Sequence, residues 1–150
     1  MSDSGYPPHS APVSPAEKDP KRYSVASPFD IHIGTEWLDL GADEARARIL
    51  VEDHHKQPVG LVHGGVLATL AESVCSVATY RAVAGDGMTI MGQSNETTFL
   101  RPVREGQLNA VARARHRGRT TWVWDVEISD DDDRLCALVR MTVAVRPVPE

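Results

Sequence analysis

A chain of 150 residues has room for one hydrophobic core, which excludes two full domains with separate cores. Its 41% hydrophobic and 25% charged residues match a globular composition and exclude a wholly disordered or fibrous protein. With 16 basic against 21 acidic side chains, a formal charge of −5 and no basic block, it lacks what tracks a phosphate backbone, so no nucleic-acid partner is expected. Residues 1–27 carry Pro7, Pro8, Pro12, Pro15 and Pro20 among Ser, Gly and Lys, too few large apolar groups to offset the entropy of ordering them. That predicts a flexible or draped arm ahead of one domain spanning 28–150. Phe29, Ile31 and Ile33 alternate with Asp30, His32 and Gly34, and Leu38 and Leu40 flank Asp39, the period-two pattern of extended chain. After Gly41, Ala45, Ala47, Ile49 and Val51 alternate with Arg46, Arg48, Leu50 and Glu52, completing a hairpin. Residues 53–62 lose all periodicity and gather His54, His55, Gln57, Pro58 and Gly60, which is loop chemistry.

From 66 to 84 the spacing turns helical, with apolar residues over most of the circumference, which predicts a buried helix starting after Gly64-Gly65 and ending at Gly85-Asp86-Gly87. Glu72 and Arg81 interrupt this stretch, so no membrane span is expected of it. Its roughly 28 Å would cross the whole domain. Residues 88–100, 107–116, 121–129 and 135–145 read as strands separated by Arg101-Pro102, the Gly118 turn and the aspartates 130–133. Those aspartates lack the Gly and spaced ligands of a calcium loop and read as a solvated turn. The fold class is α+β: a curled antiparallel sheet of five or six strands wrapped around one long central helix. Cys75 and Cys136 stand in apolar runs without metal-ligand spacing, and no basic-then-apolar leader opens the chain. Both features point to reduced thiols, no metal and a cytoplasmic protein.

Glu72 is the residue that calls for chemistry, because a carboxylate in an apolar helix must be paired, protonated or held charged for use. Pairing with Arg48 or Arg113 across the sheet, or a wet strip on the helix, are the structural alternatives. Ser76, one turn on, either shares a water with Glu72 or bonds back to the helix carbonyl. Before the helix stands Val62-His63-Gly64-Gly65, with Gln57 upstream. Two glycines at a helix N-terminus expose N–H groups where the dipole favours negative charge, the outline of an oxyanion hole, while a lone His there is more often a packing or capping residue than a base.

These segments resemble the hotdog-fold thioesterases, and among them the glutamate-using branch of the 4-hydroxybenzoyl-CoA thioesterases. The resemblance runs in order through Gly60-Leu61-Val62-His63-Gly64-Gly65, Leu70-Ala71-Glu72, Gly92-Gln93-Ser94-Asn95, Phe99-Leu100-Arg101-Pro102-Val103 and Thr120-Thr121-Trp122. It implies hydrolysis of an aromatic acyl-CoA thioester, 4-hydroxybenzoyl-CoA or a related aryl-CoA, in aromatic degradation. Glu72 would be nucleophile or general base, the Gly64 N–H and the Gln57 side chain would polarise the carbonyl, His63 would shape the loop and Ser76 would position water. The branch has Thr where this chain has Ser76, and Val148 and Pro149 stand where it can use basic residues against coenzyme A phosphates. Arg101, Arg117, Arg119, Thr120, Thr121 and Arg146 are the remaining candidates for that contact. The resemblance further implies no cofactor beyond the coenzyme A of the substrate, and a homodimer assembled into a dimer of dimers with sites at subunit interfaces. The alternatives are a thioesterase for phenylacetyl, medium-chain or dihydroxynaphthoyl esters, and a non-catalytic acyl-CoA-binding hotdog protein.

Overall fold

The computed structural model describes residues 27–149, so the expected arm lies outside the described residues except for Ser27. Ser27 belongs to the domain as the N-cap of a short helix, α1 (Pro28–His32). This corrects the extended reading of 29–33. The Ser27 hydroxyl oxygen accepts from the Asp30 N–H at 3.1 Å and the Asp30 carboxylate accepts from the Ser27 N–H at 3.2 Å, a capping box with Pro28 in the first turn. Local capping outweighs the period-two pattern, and Gly34, at φ +68°, turns the chain into the sheet.

The strands are β1 (Thr35–Leu40), β2 (Glu44–Leu50), β3 (Met88–Phe99), β4 (Gln107–Arg117), β5 (Thr121–Ser129) and β6 (Leu135–Pro147). They form one sheet in the order β1-β2-β4-β5-β6-β3, antiparallel throughout. The central helix, α2 (Gly64–Val83), starts two residues before the apolar run suggests, taking both glycines into its first turn. It lies in the concave face of the sheet, which is the hotdog arrangement.

Alternation in the strands supplies that face. Trp122, Trp124, Val126 and Ile128 of β5 are buried, as are Val139, Met141, Val143 and Val145 of β6. On the other flank Ala45 pairs with Ala112 and Ala47 with Ala110 across β2 and β4, small side chains that leave volume for larger neighbours. From α2 come Leu67, Leu70, Ala71, Val74, Cys75 and Ala78, a stripe at helical spacing. The helix is therefore wrapped on one side only: Glu72 is exposed and Ser73, Ser76, Val77 and Tyr80 are half-buried along an open strip. By length and mean hydropathy alone Gly64–Asp86 would suffice to cross a bilayer; here it is the core helix of the sheet. The strip lies beside β3, an edge strand with most of its residues exposed.

One polar link ties helix to sheet inside the core. The Trp124 indole N–H donates to the Thr79 hydroxyl at 2.9 Å, and that hydroxyl donates to the Cys75 carbonyl at 2.8 Å. Both side chains are fully buried, so each bond removes a desolvation cost. Thr79→Val keeps the shape and leaves the indole without an acceptor; it should lower the unfolding free energy in urea by about 1–3 kcal/mol, while Thr79→Ser retains most of it.

Candidate active site

The loop between β2 and α2 is built to hold the start of the helix. After a single 3-10 turn at Asp53–His55, the Gln57 N–H donates to the Leu61 carbonyl at 2.8 Å and the Gly60 N–H to the Gln57 carbonyl at 2.9 Å. Gly60 closes that turn at φ +80°, a conformation costly for any side chain. The Gln57 Oε1 accepts from the Val59 N–H at 2.6 Å, which leaves the amide Nε2–H groups as donors. The Val62 N–H donates to the Val103 carbonyl at 2.8 Å, tying the loop to the β3–β4 connection.

His63 is the N-cap of α2: its Nδ1 accepts from the Gly65 N–H at 2.9 Å and its carbonyl from the Val66 N–H at 2.9 Å. The two glycines are required for different reasons. A Cβ on Gly65 would stand 2.9 Å from the capping imidazole, and one on Gly64 only 2.8 Å from the Phe99 ring. The Gly64 N–H takes no protein acceptor among the described residues and points out of the positive end of the helix dipole. Around it opens a cleft of about 410 Å³ lined by Gln57, Leu61, Gly64, Phe99, Leu100 and Arg101.

Glu72 lies eight residues along α2 from Gly64, about 12 Å at the helical rise. Its carboxylate is exposed in the single chain instead of enclosed by apolar neighbours, because the sheet covers only the opposite side of the helix. Neither expected arginine reaches it. Arg48 pairs with Glu36 at 2.7 Å, and Arg113 with Glu44 and Glu127, each at 3.1 Å. The carboxylate rests instead on β3. Its Oε2 stands 3.4 Å from the Asn95 Nδ2, and a Cβ on Gly92 would be 3.4 Å from its Oε1. The Asn95 amide is oriented by the Ala68 carbonyl at 2.9 Å and the Thr97 hydroxyl at 2.7 Å. A register shift between Gly92 and Ser94 bends the strand at that spot, as bulges beside functional sites do.

The structure thus brings Gln57, His63, Gly64 and Arg101 together and sets Glu72 and Ser76 on the open strip. Ser76 is half-buried in a separate cleft with Val77, Tyr80, Thr89 and Ile90. Arg119, Thr120, Thr121 and Arg146 are not brought to the Gly64 cleft within one chain. They lie near the other end of α2, roughly 30 Å away along the helix, where Arg119 lines a second cleft with Arg117 and Trp122. Arg146 there donates to the Thr120 and Val145 carbonyls at 2.8 Å each, and Arg117 pairs with Asp43 at 2.8 Å. Sequence reasoning missed Asn95 and Phe99 as site residues, although the Gly-Gln-Ser-Asn segment was a usable signal for the first. Burial, with Glu72 adding to it, pushes the Cys75 thiol up, so that sulfur is no nucleophile at neutral pH.

Residues 59–137 match the Thioesterase superfamily family model. The 1,4-dihydroxy-2-naphthoyl-CoA hydrolase of Escherichia coli is 38% identical over 106 residues, 71% of this chain and 77% of that protein. The proofreading thioesterase EntH of Cronobacter turicensis is 36% identical over 114 residues, 76% of this chain and 82% of that one. A crystal structure of thioesterase PA1618 from Pseudomonas aeruginosa, in a variant with one glutamine replaced by alanine, superposes with a TM-score of 0.79 at 34% identity, covering 87% of this chain and 95% of that one. With its sheet-wrapped helix and glycine-led helix N-terminus, the chain belongs to the Thioesterase superfamily and is a thioester hydrolase of hotdog fold.

Proposed function

We propose that the protein hydrolyses an aromatic acyl-CoA thioester, 4-hydroxybenzoyl-CoA or a related aryl-CoA, as in the glutamate-using branch, at a site shared by two copies of the chain. The observation that carries this reading is the separation of the two halves of the machinery. Gly64 and Gln57 offer donors at one cleft, while Glu72 stands about 12 Å along the helix on the open strip, beyond reach of a carbonyl bound at Gly64. A two-fold pairing of β3 edges lays two α2 helices side by side and antiparallel, bringing Glu72 of one copy towards the Gly64 cleft of the other. The exposed edge strand, with Met91 60% and Phe99 57% accessible, and the apolar Val77 on the strip support such a pairing. The same symmetry leaves the outer sheet faces for a dimer of dimers.

In this site the thioester carbonyl oxygen accepts from the Gly64 N–H and the Gln57 amide, which stabilise the negative charge that develops there. Glu72 either attacks the carbonyl carbon, giving an acyl anhydride that water then cleaves, or takes the proton of the attacking water. In both routes the C–S bond breaks, the thiolate leaves and is protonated as free coenzyme A, and no resident cofactor takes part. Asn95 orients the carboxylate, Ser76 holds water beside it and His63 keeps the cap. Arg101 at the cleft rim is the first candidate for the coenzyme A phosphates, and Arg119, Thr120, Thr121 and Arg146, at the far end of the helix within one chain, could reach them only from the second copy. Phe99, with its ring against Gly64, gives an aromatic acyl group a face to stack on. The similarity to the 1,4-dihydroxy-2-naphthoyl-CoA hydrolase of Escherichia coli favours a bicyclic aryl ester as the second reading. Buried, unpaired Cys75 and Cys136 support a cytoplasmic setting.

Release of free thiol from a panel of benzoyl, hydroxybenzoyl, dihydroxynaphthoyl, phenylacetyl and medium-chain CoA esters tests the substrate class. Aryl esters should be turned over fastest; a preference for straight chains overturns the aromatic reading. Glu72→Gln should abolish turnover by several orders of magnitude with the fold intact, and Gln57→Ala should lower kcat by about 10²–10³, the usual effect of one lost donor. Mixing Glu72→Ala with Gln57→Ala after subunit exchange should restore roughly a quarter of parental activity, since half the dimers then hold one complete site. No recovery would place both residues in one copy's site. Arg101→Ala should raise KM for the CoA ester and leave an N-acetylcysteamine thioester unaffected.

A further inference from the structure

His55 is the most enclosed polar side chain near the proposed site, and no step of the proposed reaction uses it. It is 2% exposed, and both ring nitrogens are engaged by backbone from different segments. Its Nδ1 accepts from the Glu52 N–H at 2.9 Å, just after β2, and its Nε2 lies 3.0 Å from the Ile33 carbonyl, just after α1. An amide N–H needs an acceptor and a carbonyl needs a donor, so the ring is neutral with its proton on Nε2. Its own carbonyl accepts from the His63 N–H at 2.8 Å. His63 in turn caps α2 through the Gly65 N–H, so the residues on both sides of Gly64 are pinned through it.

We propose that His55 is a positioning residue for the Gly64 amide, fixing the direction of that N–H by joining α1, the end of β2 and the cap of α2. This rests on the reading of the Gly64 N–H as the group that polarises the thioester carbonyl. The imidazole touches no substrate; it acts through His63. The arrangement is sensitive to acid, because a second proton on Nδ1 would remove the acceptor of the Glu52 N–H. Around the ring stand His54, with centroids 4.0 Å apart, Glu52, and His32 of α1, while Asp53 and Lys56 pair with each other at 2.8 Å. Burial, helped by His54, holds the His55 pKa below its ordinary 6.5. The unfolded chain therefore binds this proton more tightly: the network's contribution is complete above about pH 6.5 and is lost as pH falls through the folded value.

The test compares the full-length parent with His55→Leu, which loses both links, and His55→Asn, whose side-chain oxygen can still accept from the Glu52 N–H. The imidazole nitrogen resonances of the parent should show the neutral Nε2–H tautomer at neutral pH. His55→Leu should shift the Gly64 amide resonance and lower kcat about tenfold or more with KM little changed, and His55→Asn should recover most of kcat. On acidification the parent should lose kcat through a titration below pH 6.5 that is missing in His55→Asn. An Nδ1–H tautomer, an unmoved Gly64 resonance in His55→Leu, or the same acid limb in parent and His55→Asn overturns the proposal. Should His55→Leu not fold, His55→Gln takes its place, keeping a donor for Ile33 and losing the Glu52 link; kcat equal to that of His55→Asn then overturns it. If the parent cleaves no thioester at all, the functional reading fails, while the tautomer and the Gly64 resonance still decide what His55 does.

Discussion

One backbone amide organises this protein. In the proposed site the Gly64 N–H is usable because no acceptor among the described residues satisfies it, and a helix N-terminus with an unused donor is unstable unless its neighbours are held. The structure holds them on three sides. His63 takes the Gly65 N–H, Val103 takes the Val62 N–H, and the Phe99 ring lies against the Cα of Gly64 where any side chain would collide. A free donor is thereby fixed in direction before any ligand arrives, the condition for stabilising charge without reorganisation.

The same helix explains why the proposed site calls for a second copy. A sheet curled around α2 covers the Leu67, Leu70, Val74 and Ala78 side and leaves the strip bearing Glu72, Ser76 and Val77 open. A carboxylate and an apolar residue on the same open strip of a helix, next to a strand edge unpaired among the described residues, make poor surface for a monomer. They make good interface, because the edge supplies backbone hydrogen bonds and the strip supplies contact. Enclosure of Glu72 would then come from a second copy, and the protein would gain a desolvated carboxylate without burying a charge during the folding of one chain.

Most of the fold was legible because strands and helix obey different periods: 107–116, 121–129 and 135–145 alternate, while the apolar run from 66 recurs at three and four. Three failures have identifiable physical causes. Residues 29–33 alternate too, but Ser27, Pro28 and Asp30 form a capping box, and for five residues capping outweighs pattern. Apolar residues surround Glu72 in sequence, which leaves a paired carboxylate and a wet strip both open; the described chain has the strip, because the sheet covers the other side of the helix. Asn95 and Phe99 join the site through the register of β3 against β6 and the bulge at Gly92, which no local window contains. For the candidate site, the glycines and Gln57 were readable because their chemistry is local; the placing of Arg119 and Arg146 at the other end of the helix was not, because it depends on strand order.

Charge placement reconciles an acidic protein with a polyanionic thioester. The net charge is −5, which taken as a whole repels phosphates. The outer face of the sheet, however, is a lattice of closed pairs: Arg46 with Glu44, Arg48 with Glu36, Arg115 and Arg140 with Asp125. Three carboxylates balance three of these four cations where they stand, so the lattice adds little field at a distance. Arg101 enters no ion pair among the described residues and stands at the mouth of the Gly64 cleft, with Arg104 nearby reaching only a backbone carbonyl at 3.4 Å. Local potential at the cleft is set by these unneutralised cations and the helix N-terminus rather than by the molecular total. The rim of the cleft thus carries positive charge that no carboxylate balances, while its interior is an apolar wall of Leu61, Leu67 and Phe99 beside the Gly64 amide.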